Sequence, residues 1–221
     1  MNCKNTLIWP IVTLVAMFIL SCESKTGDND KKDETDTVKT KKDTLVSEQN
    51  PQSKAIEYEL IANDFIKVFN EKNTADLNKF LHPAYGVFIL NNPGAFVAVS
   101  HYESFGKAFA DDWGPALKER KINGTINTGD LPNFDCETNS WDAEGLIITE
   151  NPPVKLLDFF KAGVEYEVIQ KDEKLQKLIQ DVEPQIVFSL YDTKSTIGLF
   201  FAKIDDKWYL IYIDRVDPCS A

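Results

Sequence analysis

The chain has none of the common catalytic signatures: GxSxG, HExxH, a phosphate-binding GxxxxGK[ST] loop and GxGxxG are all missing. Histidine is nearly absent too. His82 and His101 are the only two in 221 residues, too few for a histidine-rich metal centre. The four cysteines include no CxxC pair, which argues against a thiol redox motif. No segment of the chain repeats. Positive charge is the minority: 24 Lys and Arg face 35 Asp and Glu, for a formal net charge of −11. Nucleic acid rewards clusters of Lys and Arg, so it is not an expected partner. Electrostatic docking on anionic lipid is disfavoured for the same reason.

What is present begins at the N-terminus. Lys4 precedes an apolar run from Leu7 to Leu20, and Ser21-Cys22 follows at once. A helix of that length spans about 21 Å, at about 1.5 Å per residue. Crossing a bilayer takes roughly 20 residues, and Pro10 interrupts the run early. A charged start, an apolar centre and a small residue before cysteine resemble a bacterial lipoprotein signal peptide, residues 1–21, cleaved before Cys22. Ile19 and Ser21 suit the lipobox, whereas Leu20 is bulkier than its usual occupant. The resemblance implies that mature Cys22 carries a diacylglycerol and an acyl chain such as palmitate, and several chains anchor stably. An uncleaved anchor and a plain secretory peptide are the alternatives.

Residues 22–52 read as the lipidated cysteine and a charged tether. From Glu23 to Gln52 there are eight acidic residues and six lysines, no aromatic, and only Val38, Leu45 and Val46 as aliphatics. Such a stretch cannot bury enough apolar surface to offset chain entropy, and disorder is expected. Glu23, Asp28 and Asp30 resemble export signals of some Gram-negative surface lipoproteins. That resemblance implies a cell-envelope location, lipid-anchored at the outer membrane on its periplasmic or surface side. The rest, residues 53–221, keeps 17 basic and 27 acidic residues and is long enough for one domain with a proper core. Cys3 leaves with the signal peptide and Cys22 is the lipid site, so Cys136 and Cys219 remain in an oxidising compartment. A disulfide between them is expected. The chemical alternative, a redox or metal pair, has no supporting spacing.

Periodicity then divides the domain. Ala55–Asn70 has the spacing of an amphipathic helix with Ile61, Phe65, Val68 and Phe69 inward. A short helix over Ala75–Leu81 is expected, capped by Thr74 and stopped by Pro83. Gly86–Leu90 and Ala95–Val99 read as strands around an Asn91-Asn92-Pro93-Gly94 turn. Ser100-His101-Tyr102-Glu103 matches a capping box opening a helix over Tyr102–Asp112. From Gly114 to Glu150 the pattern thins, apart from a strand at Leu146–Thr149. A helix over Lys155–Ala162 with Gly163 as its C-cap comes next, then a strand at Val164–Ile169 and a helix over Asp172–Val182. Gln185–Tyr191, Thr196–Ile204 and Lys207–Arg215 are the clearest strands, with Asp205-Asp206 as a tight turn. In the last one Trp208, Leu210 and Tyr212 alternate with Tyr209, Ile211 and Ile213, so both faces are expected to be covered.

This order is α+β. With Leu81-His82-Pro83-Ala84-Tyr85-Gly86-Val87 after two helices and Lys207-Trp208-Tyr209-Leu210-Ile211-Tyr212-Ile213 near the end, it resembles exported NTF2-like lipoproteins. The resemblance implies a cystatin-type cone, a curved antiparallel sheet wrapped around the N-terminal helix. It also implies a hydrophobic pouch, with His82 and Tyr85 near its opening. His82, Tyr85 and Asp135 are weak candidates for general acid–base work, with His101, Asp130 and Trp141 nearby in the reading. The simpler roles are a helix-end hydrogen bond for His82, a solvent-facing His101 and a core or disulfide-covering Trp141. Three function classes stay open. The favoured one is a module binding a small molecule, a glycan or an envelope protein; the others are an acid–base enzyme and a structural lipoprotein. Pairing of two copies through the sheet is compatible with the pattern. No cofactor is implied.

Overall fold

A computed structural model describes residues 51–92, 96–112, 114–216 and 218–219. The signal peptide, Cys22 and the tether up to residue 50 lie outside the described residues, as does the centre of the turn expected at residues 91–94. The fold opens with α1 (Pro51–Glu71), a short α2 (Thr74–Leu77) and a 3-10 turn (Asn78–Phe80). Strands β1 (Val87–Asn91) and β2 (Ala98–Tyr102) come next, then α3 (Phe105–Ala110) and α4 (Gly114–Glu119). Four short strands cross the region where the sequence pattern is thin: β3 (Ile126–Thr128), β4 (Phe134–Asp135), β5 (Ser140–Trp141) and β6 (Leu146–Glu150). Helices α5 (Leu156–Glu165) and α6 (Glu173–Val182) lead to β7 (Ile186–Asp192), β8 (Ile197–Ile204) and β9 (Lys207–Asp214).

Seven strands form one open sheet in the order β2-β1-β9-β8-β7-β6-β3, and β4 pairs with β5 as a separate hairpin. The architecture is α+β, as expected. The sheet is not the antiparallel one expected: β1 runs parallel to β9, and β3 parallel to β6. The register shifts between Phe200 and Phe201, so Ile211 of β9 is an extra residue in the ladder. Such a bulge bends the strand and breaks its alternation. As a result Tyr212 shares the core of Tyr209 and Ile211, not that of Trp208 and Leu210. Asp205 and Asp206 both adopt positive φ, as a two-residue hairpin of type I′ requires.

The sheet separates two cores. On one face, Tyr58, Ala62, Phe65 and Phe69 of α1 pack with Phe188, Phe201, Leu210 and Ile213. Tyr58 stacks on Phe188 at 4.6 Å, and Phe188 on Phe201 at 4.8 Å. Ile61 and Val68 flank this stripe half-buried, so the inward face is turned slightly from the expected one. A polar clamp fixes the helix: the Glu57 carboxylate accepts from Lys203 Nζ and Trp208 Nε1, both at 2.8 Å. On the other face, Leu156 and Phe160 of α5 and Ile179 and Val182 of α6 cover Phe88, Phe200, Ile211 and Tyr212. The two-sided burial of β9 is thus met by helices of its own chain.

Four local expectations need correction. Asn73, not Thr74, caps α2, accepting from Ala75 and Asp76 N–H. Ser100–Tyr102 belongs to β2, where pairing with β1 outweighs the capping-box pattern, and Ser104 caps the following helix. Gly163 lies inside α5, where a Cβ would overlap the Ile169 side chain. Val164–Ile169 is no strand; it finishes α5 and turns back, with the Gly163 carbonyl accepting from both Val168 and Ile169 N–H.

Cys136 and Cys219 are bonded, with Cα atoms 5.5 Å apart and a sequence separation of 83. The bridge ties the β4–β5 hairpin to the segment after β9. Replacing both cysteines by serine is expected to lower stability by about 2–4 kcal/mol, because the unfolded chain regains the freedom of a long loop. Urea unfolding of the two forms measures the loss. Equal midpoints, or free thiols at both positions on non-reducing peptide mapping, would contradict it.

Candidate functional site

The turn between β7 and β8 is built to hold a rigid shape. Asp192 is buried; its carboxylate accepts from Lys194 N–H at 3.1 Å and Ser195 Oγ at 2.6 Å. Thr193 is locked to the residue before β6, with Gly145 N–H donating to Thr193 Oγ1 at 2.8 Å and Thr193 N–H to the Gly145 carbonyl at 3.1 Å. Arg120, just after α4, donates from Nη1 to the Ser195 carbonyl at 2.7 Å. Opposite the turn stands the β4–β5 hairpin, where Phe134 and Trp141 meet edge to face at 5.1 Å. The disulfide holds this hairpin against Pro218 and the strand exit.

Two adjoining chambers lie between these parts. The first, about 440 Å³, is bordered by Arg120, Arg215, Lys194, Glu144, Ser140 and Thr196 among others. The second, about 360 Å³, is more apolar, with Leu131, Phe159, Tyr191 and Val216 beside Lys155 and Asp214. Trp141, Thr196 and Pro218 border both. Each is within the size range of small-molecule sites, and together they combine apolar walls with a few converging polar groups.

The electrostatics are uneven. Arg215 continues the parallel pairing beyond β9, its N–H donating to the Leu90 carbonyl at 3.1 Å. Burial, and then the charge of Arg120, push the Arg215 guanidinium below its ordinary range. Burial pushes the Asp214 carboxyl up to about 6, against the opposing pull of Val216 N–H and Lys155. Burial also raises Tyr191. A carboxyl near neutrality in a cleft can hold or release a proton at physiological pH.

The residues singled out in the sequence lie elsewhere, except Trp141. His82, Tyr85 and His101 do gather. His82 stacks obliquely on Tyr85 at 4.7 Å and edge-on to Tyr209 at 4.9 Å. Its Nδ1 accepts from Ala84 N–H at 3.2 Å, the helix-end role. His101 is half-buried in β2, and its Nε2 donates to the Tyr85 carbonyl at 2.7 Å. None of the three borders either chamber. Asp135 is exposed in the hairpin, held by Glu137 N–H at 2.8 Å and Thr138 Oγ1 at 2.9 Å. Those bonds, Glu137 first, lower its pKa. No hydrogen bond or ring contact joins it to His82 or Tyr85 among the described residues. Asp130 is exposed as well. No group of three or more His, Cys, Asp or Glu stands ready to hold a metal among the described residues.

Sequence reasoning missed the arginines. Arg120 and Arg215 are the only two in the chain, and both border one chamber. Their rarity was the available signal; their convergence depends on β9 lying beside β1 and on the position of α4, which no periodicity encodes.

The raised Asp214 carboxyl has a pH consequence. Its folded pKa, about 6, lies above the ordinary aspartate value, so the folded state binds the proton more tightly than the unfolded state. Its contribution to stability therefore grows as pH falls from about 7 toward about 4, and levels off below about 3, where both states are protonated. Asp214→Asn removes this dependence. The stability of the variant relative to the parent should rise between pH 4 and pH 7 in urea unfolding. A difference that stays constant across that window would contradict the assignment. Comparison with family models, with curated proteins and with solved structures returns no match to this chain.

Proposed function

We propose that the protein is a lipid-anchored envelope protein whose folded domain binds a small ligand in the paired chambers beneath the β4–β5 hairpin. The signal-like N-terminus and Cys22 supply the anchor, the charged residues up to 50 the tether, and the domain that α1 opens at Pro51, two residues earlier than the sequence pattern suggests, the binding part. The observation that carries the binding half is the two-chambered cavity, whose walls come from hydrogen-bonded turns, a strand exit and a hairpin tied down by a disulfide. Preformed walls bind without a large ordering cost.

An NTF2-like cone is the finer fold reading. Helix α1 lying along one face of a bent sheet supports it. The parallel pairs β1–β9 and β3–β6 and the second helical cover by α5 and α6 depart from the minimal pattern. An acid–base enzyme remains the second reading. Asp214 in the apolar chamber favours it over the original candidates His82, Tyr85 and Asp135, which border neither chamber.

Labelled palmitate fed to the producing bacterium is expected to enter the full chain, and Cys22→Ser to abolish the label and release the protein from the membrane fraction. An unlabelled, uncleaved precursor in the membrane would contradict the anchor. For the cavity, native mass spectrometry of the detergent-extracted protein should show a small molecule bound to the parent and absent from Ser140→Trp, which fills the first chamber from an exposed wall position. The same adduct on both forms, or no adduct on either, would contradict the binding role.

A further inference from the structure

We propose that the chamber bordered by Arg120 and Arg215 takes the carboxylate or phosphate head of a small organic anion, whose apolar body occupies the adjoining chamber. This rests on the ligand-binding reading and names the ligand's chemistry. The chain has two arginines and a net charge of −11, and the fold brings both to the lining of one chamber. Two guanidiniums on one lining repel each other, and an anion between them offsets part of that repulsion. Guanidinium suits this task better than ammonium because its planar fork can grip two oxygens at once.

The surroundings fit the same ligand. Arg120 spends Nη1 on the Ser195 carbonyl, which fixes the plane of its guanidinium without neutralising it. Lys194, on the turn itself, adds a third cation at the rim. Ser140 and Thr196 offer hydroxyl donors on the same lining. Among the described residues bordering this chamber, Glu144 is the one carboxylate. Across the shared residues Trp141, Thr196 and Pro218, the second chamber offers Leu131, Phe159, Tyr191 and Val216. An anion-binding head group and an apolar slot side by side select an amphiphilic acid. They discriminate against a neutral molecule, which brings no charge to the arginine-lined chamber, and against inorganic phosphate, which leaves the slot empty. The strongly acidic remainder of the protein repels anions at long range, so recognition depends on this local patch.

Isothermal titration of the detergent-extracted protein with phenyl phosphate, benzoate and neutral benzyl alcohol tests the proposal. At least one acid should bind, at least about ten-fold more tightly than the alcohol, as expected for charge-assisted hydrogen bonds. Arg215→Gln and Arg120→Gln should each weaken the acid by about 10–100-fold, with Arg215→Lys retaining part of the affinity. Because Arg120 also supports a turn, Glu144→Gln provides a test that does not depend on a loss. Removing that exposed carboxylate should tighten the acid by about 2–5-fold and leave the alcohol unchanged. Equal binding of alcohol and acids, or acid affinity unmoved in Arg215→Gln and Glu144→Gln, overturns the anion inference and leaves the ligand-binding reading standing. No binding by any of the three overturns both.

Discussion

The fold depends on the burial of β9 on both sides. Leu210 and Ile213 face the core under α1, while Ile211 and Tyr212 face the core under α5 and α6, and all four are buried. A central strand with two apolar faces needs a helical layer on each side, since a bare face would expose aromatic surface to water. The bulge at Ile211 lets one strand serve both layers out of strict alternation. Tyr212 then stacks on Phe200 at 3.8 Å within the second core.

The same strand builds the site. It enters the sheet between β1 and β8, and it leaves carrying Asp214 and Arg215 to the rim, where the apolar core ends. Arg215 is held by backbone pairing to Leu90, so its position follows from sheet register rather than from loop chemistry. Beyond it the disulfide stops the chain end from drifting away from the hairpin that closes the chambers. Stability and the shape of the two chambers therefore share one structural cause. A change that slips β9 by one residue would turn the core side chains to the wrong faces and remove Arg215 from the chamber together.

Much of this was legible in the residues, and what was not has clear physical reasons. Strands β7, β8 and β9 announce themselves by dense β-branched and aromatic residues, α6 by its apolar spacing, and the cystine by elimination once an exported setting is assumed. Pairing order is different. Alternation says that a strand has two faces, not which strand lies beside it, so the parallel β1–β9 contact had no local signal. The Ser100–Glu103 pattern satisfies the spacing of a capping box and yet lies in β2, because five residue pairs with β1 outweigh a local cap. Gly163 looks like a helix end but is a packing requirement created by Ile169, a neighbour visible only in three dimensions. The histidines attracted attention as chemical groups; the structure gives them backbone hydrogen bonds and stacking instead.

The claim at the centre of this account is that β9 delivers an arginine to a chamber made for an acid beside an apolar slot. Crystals of the protein soaked with para-bromobenzoate give the most direct test, because anomalous scattering locates the bromine without assuming a pose. The account predicts one strong peak in the chamber bordered by Phe159, Tyr191 and Val216, with the carboxylate oxygens within hydrogen-bond reach of Arg120 and Arg215. Bromine found only outside both chambers, or a carboxylate turned away from the two guanidiniums, would contradict it.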